Sequence, residues 1–456
     1  MKVPSRMKLP QDFSLFRDYG MVLVLVLLCG MITWATWEEQ HPSDASAGVA
    51  LANGLYDLKG EDLHVAIIAR QTKSDDEFVK AIEDQIAERG SSVKAVIRVR
   101  NPRDARIELE SLGVSNTRIN AIATHNFCFS TWGILKQATL DGLASNHKSF
   151  KDIRPYKPKS RMGSAFLSAE NLIAILNQNA PVAIMAIGMT LVIITAGIDL
   201  SVGSLMALSA LISAVTLRSW FGDADASALG IITAFLLGIL VCTACGVFVG
   251  LMVTWFQIPP FVVTLALMMV ARGLSFILAG GADPVDIQAP GAELLYSGTI
   301  LGVPNQIALM LWLFVIAHVV MSHTALGRYI YAVGGNEQAA RLSGVPVFWV
   351  IIIVYAICGA SAGLAGVMDA SHFTSGRPKA GEFFELQVIA AVVVGGTSLL
   401  GGEGKILGTF IGAMILGVIQ NGLNMQGVDS YTANVVYGAL ILVAVLVDQL
   451  KRKLLN

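Results

Sequence analysis

The chain has 456 residues, 54% of them apolar or aromatic and only 14% charged, and a mean hydropathy of +0.63 that excludes an ordinary soluble enzyme. A formal net charge of −1 excludes a bulk polycation, so nucleic acid is not an expected partner. Six charges fall in residues 1–37, 35 in residues 38–165 and 24 in the 291 residues from 166 onward, which implies two solvents.

A bilayer core takes about 20 apolar residues as a helix, because the segment must satisfy its own backbone polar groups. That length predicts ten spans: 20–37, 171–195, 200–217, 228–255, 259–279, 305–321, 347–369, 384–396, 405–423 and 431–449. Lys2, Arg6, Lys8 and Arg17 precede the first span, and Lys451, Arg452 and Lys453 follow the last. The positive-inside bias therefore places both termini in the cytoplasm, as an even number of spans requires. Residues 280–304 carry Asp283, Asp286 and Glu293 without Lys or Arg and belong outside; residues 322–346, with Arg328 and Arg341, belong inside. Arg377 and Lys379 break the pattern by falling outside. A signal peptide ending near Ala45-Ser46-Ala47 is the other reading of the first stretch. Asp12 and Asp18 in the lead-in and Trp34 and Trp37 at the far interface favour an uncleaved anchor, and either reading puts residues 38–165 on the outer side.

That segment reads as a small α/β unit. Strand-like runs at His64–Ala69, Val93–Val99 and Ile119–Thr124 alternate with helical patterns at Asp75–Arg89, Arg103–Leu112 and Ser130–Ala144, the order of a parallel sheet. Gly90 stops the first helix. Residues 148–161, rich in Lys and Arg with Pro155 and Pro158, read as a basic linker back to the membrane. A sensor or docking surface and a mere spacer both fit the unit. Cys128 is its only thiol, so it holds no internal disulfide, while the Cys242/Cys245 pair sits in an apolar run and reads as packing. The expected fold is an all-α polytopic membrane protein of about ten transmembrane helices, with a small α/β extracytoplasmic domain inserted. Its parts are an anchor at 1–37, the insert at 38–165 and a transmembrane domain at 166–456.

The glycine-rich run Gly396–Lys405 is not a phosphate cradle, because Ile406 follows the lysine where a P-loop needs Ser or Thr. Energy for uphill transport would have to enter through a partner. Asp199 and Arg272 lie in or beside apolar spans, where a charge costs about 2.5 to 3.5 kcal/mol on insertion scales, so each must line water, lie at an interface or be paired, with each other as one option. For Asp199, capping the helix after Ser201 is the simpler role.

Three runs now matter together: Ala196-Gly-Ile-Asp-Leu-Ser-Val-Gly-Ser204, Thr324-Ala-Leu-Gly-Arg-Tyr-Ile-Tyr-Ala-Val-Gly-Gly-Asn-Glu337 and Val394-Gly-Gly-Thr-Ser-Leu-Leu-Gly-Gly-Glu-Gly-Lys405. In that order they make residues 166–450 resemble the ribose permease branch of the sugar ABC importers. Residues 38–165 depart from the family, whose members pass from the first span to the second through a short loop. The resemblance implies a permease subunit, not an enzyme, that pairs with a second permease chain, cytoplasmic ATP-hydrolysing subunits and an external substrate-binding protein. It implies no cofactor on this chain, ATP and Mg belonging to the partner subunits. It also implies that the inner loop docks the ATPase through a short helix. The residues there suit docking, since Gly327, Arg328, Gly334, Gly335, Asn336, Glu337, Arg341 and Gly344 offer charged contacts, a cap before a helix over Gln338–Ser343, and bounding glycines.

A neutral sugar is held by hydrogen bonds, so Asn177, Gln178, Asn179, Gln420, Asn421 and Asn424, with Asp199, are the expected path residues, interhelical glue being their other use. His318, His323 and His372 lack a partner set and read as interface residues. Two rivals stand. An ion-coupled transporter would need an intramembrane acid pair, for which only Asp199, Asp369 and Asp448 are on offer. A receptor would use 38–165 as its sensor, and the expected lack of a cytoplasmic output domain speaks against it.

Overall fold

The computed structural model describes residues 12–429 and scattered positions between 432 and 446. The expected span 431–449 lies outside the continuously described residues, as do Lys2, Arg6, Lys8, Asp448, Lys451, Arg452 and Lys453. The chain divides into two compact units, residues 1–35 with 166–456, and residues 36–165. The first unit opens with α1 (Asp12–Ala35).

The second unit runs β1 (Trp37–Gln40), α2 (Ala45–Lys59), β2 (Val65–Arg70), α3 (Lys73–Glu88), β3 (Ala95–Val99), α4 (Pro102–Val114), β4 (Ala121–Ala123), α5 (Asn126–Thr131), α6 (Gln137–Asn146), β5 (Arg154–Tyr156) and β6 (Arg161–Ser164). β3, β2, β4 and β5 form a parallel sheet in that spatial order, and β1 pairs antiparallel with β6. Helices cover both faces, so β2 is apolar from Val65 to Ala69 and its alternate residues serve different cores. Val65, Ile67 and Ala69 join Leu55, Phe78 and Ile82 of α2 and α3; Ala66 and Ile68 join Leu109, Trp132, Leu140 and Phe150 on the other side.

Two features of this unit depart from expectation, and one bears on the alternative reading of its start. The cleavage-like Ala45-Ser46-Ala47 is the first turn of α2, capped by the Asp44 carboxylate. The basic stretch 148–161 supplies β5, a fourth strand, instead of a bare linker. The helix expected over Ser130–Ala144 is broken by a 3-10 turn at Gly133–Leu135, which lets the consecutive Ile134 and Leu135 both be buried.

The first unit continues with α7 (Ala169–Ile194), α8 (Val202–Trp220), α9 (Ala228–Trp255), α10 (Pro260–Ala279), α11 (Leu294–Ser297), α12 (Asn305–His323), α13 (Ala325–Gly335), α14 (Glu337–Leu342), α15 (Val347–Phe373), α16 (Phe384–Val394) and α17 (Ile406–Met425). Among the described residues seven helices, α7–α10, α12, α15 and α17, are long and apolar enough to cross a membrane. The chain is thus a largely helical, polytopic membrane protein. Lipid gives helices no hydrophobic reason to associate, so close backbone contact must do it. α9 and α15 meet along such a seam. A Cβ on Gly246 would strike the Tyr355 carbonyl, one on Gly359 the Cys242 carbonyl, and one on Gly250 would lie 2.7 Å from the Ile352 Cα.

The expected span 384–396 is α16, of 11 residues. At 1.5 Å per residue it reaches about 16 Å, roughly half a hydrocarbon core. Irregular backbone precedes it. Residues 374–383 run back along α8, so that a Cβ on Gly376 would lie 2.9 Å from the Ala210 carbonyl oxygen while Gly381 abuts Gly203. Ser375, Gly376, Pro378, Ala380 and Gly381 are buried, while Lys379 and Glu382 are exposed.

Candidate functional site

The three glycine-rich runs converge. The Gly402 amide donates to the Ile194 carbonyl at 2.9 Å, and the Tyr331 hydroxyl donates to the Gly404 carbonyl at 2.7 Å. Gly334 packs so closely on the Ile194 carbonyl that no Cβ fits there. Gly401 and Gly402 turn the chain at φ +85° and +75°, where a side chain would strain it. The turn after α7, the end of α13 and the loop 396–404 therefore form one surface at one end of the bundle.

From that surface projects the segment carrying the expected docking residues. Thr324 caps α13, where Gly327 lies against the Met321 carbonyl and Arg328 is exposed. Asn336 caps α14 by accepting from the Ala339 amide at 2.9 Å, and Gly344, at φ +82°, turns the chain away after it. α14 covers Glu337–Leu342, with Glu337 and Arg341 paired at 2.9 Å one turn apart. Such an exposed pair contributes only a few tenths of a kcal/mol, so it shapes a surface more than it stabilises one. Leu342 is 90% exposed, and Gly335 faces open space. Beside α14 lies a cleft of about 530 Å³ bounded by Glu337, Arg341, Gln257, Pro260 and Phe348.

Asp199 and Arg272, a suggested pair, are held separately. Asp199 is fully buried in the α7–α8 turn, where its Oδ1 accepts from the Ser201 amide at 2.9 Å and the Ser201 hydroxyl at 2.6 Å. Its Oδ2 and the Tyr355 hydroxyl have no hydrogen-bond partner among the described residues. Arg272 donates through Nη1 to the carbonyls of Pro378 at 2.7 Å and Ala380 at 2.9 Å. A mid-span guanidinium thus satisfies the backbone that the broken segment 374–383 leaves without helical partners. Arg377, which broke the positive-inside pattern, is bound to the Asp369 carboxylate at 2.5 Å and stacks on Phe373 with its guanidinium 3.5 Å from the ring centre. His372 stacks on Tyr296 at 3.7 Å.

The expected path residues do not gather into one lining. Asn421 and Asn171 exchange amide hydrogen bonds at 2.7 and 3.1 Å, and Asn179 donates to the Ala413 carbonyl at 2.6 Å, so both tie α7 to α17. Gln178, Gln420 and Asn424 are exposed on this chain, and the half-buried Asn177 keeps an Oδ1 without a partner among the described residues. Asp199 shares no bond with any of them. Sequence reasoning missed this irregular segment. Its signals were Gly376, Pro378 and Gly381 ahead of a short apolar run, together with Arg377 and Lys379, which broke the charge pattern.

Residues 171–445 match the family described as the permease component of branched-chain amino acid transport systems. The chain belongs to that family. It is 44% identical over 297 residues to the ribose import permease protein of Escherichia coli (strain K12), covering 64% of this chain and 90% of the relative. The ribose import permease protein of Bacillus subtilis (strain 168) is 41% identical, covering 64% and 88% of the two chains. The fructose import permease protein of Rhizobium meliloti is 37% identical, covering 64% and 81%. No solved structure matches the chain. The family's description names amino acids while these relatives are named for sugars, and identity of 37 to 44% bears more closely on one chain than a family-wide label. This permease is a multi-pass protein of the bacterial inner membrane and not an enzyme. The family match leaves residues 36–165 uncovered.

Proposed function

We propose that this chain is the membrane conduit of an ABC importer for a monosaccharide, ribose or a related simple sugar, moved by alternating access. The single observation that carries the reading is the combination of the sugar-permease relatives with a capped, exposed α14 beside a cleft, a surface suited to a second protein. In this reading both termini and residues 322–346 face the cytoplasm, residues 38–165 face outward, and ten segments enter the membrane, α16 as a half-helix. ATPase subunits dock on Arg328, Glu337, Arg341 and Leu342, positioned by Gly327, Gly334, Gly335, Asn336 and Gly344. ATP and Mg stay on those subunits. A second permease chain, identical or distinct, completes the path, and an external binding protein delivers the sugar. Closure of the ATPases would shift α13 and α14, and because Gly334, Gly401 and Gly402 lock onto the end of α7, that shift reaches the α7–α8 turn.

Asn177, Gln178, Gln420 and Asn424 remain the path candidates, whereas Asn421 acts as glue. Ion-coupled transport is disfavoured, since Asp369 is neutralised by Arg377 and Asp199 is held by Ser201. The test is uptake of labelled ribose into proteoliposomes holding the permease, its ATPase and its binding protein. Uptake that requires ATP and stops with a hydrolysis-deficient ATPase fits the reading; uptake that continues on an ion gradient alone overturns it.

A further inference from the structure

The α/β unit has the geometry of a ligand-binding sheet. Its strand order reverses between β2 and β4, and in open parallel sheets a crevice opens beyond the carboxyl ends of the strands at such a reversal. Arg70 ends β2 at this point, and His125 follows β4 after a single threonine. Asp75 of α3, fully buried, grips the Arg70 guanidinium with both oxygens at 3.1 Å and accepts from the Arg70 amide at 2.9 Å. The buried His125 closes on the same carboxylate at 2.7 Å. Burial alone would raise the Asp75 carboxyl, but the Arg70 hydrogen bonds and the neighbouring imidazole overcome it and bring it down to about 2. Burial pushes the His125 imidazole below its ordinary value, against the pull of Asp75, so it stays neutral and donates.

A buried ion pair is a poor device for stability, because apolar residues of similar volume would serve as well. What this one achieves is to fix Arg70, one-third exposed, with its guanidinium 4.5 Å from the centre of the half-exposed Phe127 ring. The ring and guanidinium are flanked by further donors. Gln71 bridges Arg70 to the next strand, accepting from Arg100 at 3.2 Å and donating to the Arg98 carbonyl at 3.0 Å. Just past β5, Lys157 lies 5.0 Å from the Phe129 ring centre and donates to Asn126 at 2.6 Å. Residues 38–165 hold 18 Lys and Arg against 17 Asp and Glu, so this concentration of cations is local and not a property of the unit. The nearby acids, Asp75 and Asp76, are already bound to Arg70 and Arg98.

We propose that the carboxyl edge of this sheet binds a small anionic carbohydrate, with Arg70, Arg100 and Lys157 on its carboxylate or phosphate, Phe127 on its apolar face, and Gln71 and Asn126 on its hydroxyls. Guanidinium forks match both anions, and an aromatic face with side-chain amides matches a sugar ring. Cys128 takes no chemical part: burial, then the Asp75 charge, pushes its thiol up to about 12.

The test uses the full chain in lipid nanodiscs, titrated with D-glucuronate, D-ribose 5-phosphate, D-ribose and inorganic phosphate, with binding followed by hydrogen exchange. Saturable binding of either charged sugar, protecting the peptides around Arg70–Asp75 and Asn126–Thr131, is the expected result, and the stronger of the two tells carboxylate from phosphate. R100Q, at an exposed side chain, and K157Q, at a half-buried one, should each weaken it about tenfold, and R118Q, beside Asp62, should not. No binding, binding unchanged in R100Q and K157Q, or inorganic phosphate binding as tightly as the sugar phosphate would overturn the proposal. The readout is independent of transport, so it stands or falls apart from the importer reading.

Discussion

The two units of this protein handle the same problem, a charge away from water, with different partners. In the membrane unit Arg272 is held by the carbonyls of a broken segment, and Arg377, one-third exposed, by the Asp369 carboxylate. In the α/β unit Arg70, also one-third exposed, is held by the fully buried Asp75, which the buried His125 meets as well. Cohesion differs likewise. The α/β unit buries large side chains such as Phe78, Ile82 and Phe150, whereas α9 and α15 close backbone to backbone over Gly246, Gly250, Gly359 and Gly363. Lipid rewards satisfied backbone and close approach, and water rewards buried volume.

The sharpest way to break this contrast is at Arg272. R272M should leave the Pro378 and Ala380 carbonyls without their donor at a cost of about 3 kcal/mol, and ATP-driven uptake should fall on the order of a hundredfold. R272K, which keeps one charged donor, should recover part of it. Full transport by R272M would show that the broken segment holds its shape without this staple.

Next in size is D75N, which should cost the α/β unit about 2 kcal/mol, read as the urea concentration at which Cys128 becomes open to alkylation at constant pH. Acid should act on the same groups. Asp75 sits at about 2 in the fold against an ordinary 3.8, so its contribution is present above pH 3.8 and lost as the pH falls toward 2. His125 is depressed below 6.5, so its contribution is whole above that pH and also lost on acidification. Unfolding followed by circular dichroism should show the unit weakening from pH 6.5 downward, with the last part of the loss absent in D75N.

A smaller effect is expected at the exposed docking helix. L342D should leave the permease folded yet weaken its pull-down of the ATPase about tenfold, roughly 1.4 kcal/mol. Smallest is N421A, which removes one interhelical amide pair of about 0.6 kcal/mol and should lower detergent resistance without altering the sugar concentration at half-maximal uptake. A changed half-saturation would restore Asn421 to the path.

Much of this arrangement was legible from residue order. Apolar stretches of spanning length marked the long helices to within a few positions, even across Arg272 in α10, and Asn336 ahead of Glu337 marked the start of α14. Alternating β-branched runs marked β2, β3 and β4 because buried parallel strands are apolar throughout. β5 was hidden because Arg154, Pro155 and Tyr156 carry a linker's composition, and only tertiary pairing with β4 makes them a strand. The irregular segment 374–383 was hidden because its helix partner in space, α8, lies some 170 residues away in sequence. The path carboxamides were read from residue type, whereas glue and lining differ only in what each side chain meets.

The central claim is that the surface at 324–345 faces the cytoplasm and there receives the work of a separate ATPase. The most direct measurement is labelling of L342C and T299C variants with a membrane-impermeant maleimide in intact cells. T299C is expected to react at once and L342C only after the membrane is permeabilised, with protection when the ATPase is bound. Prompt labelling of L342C from outside would contradict the claim.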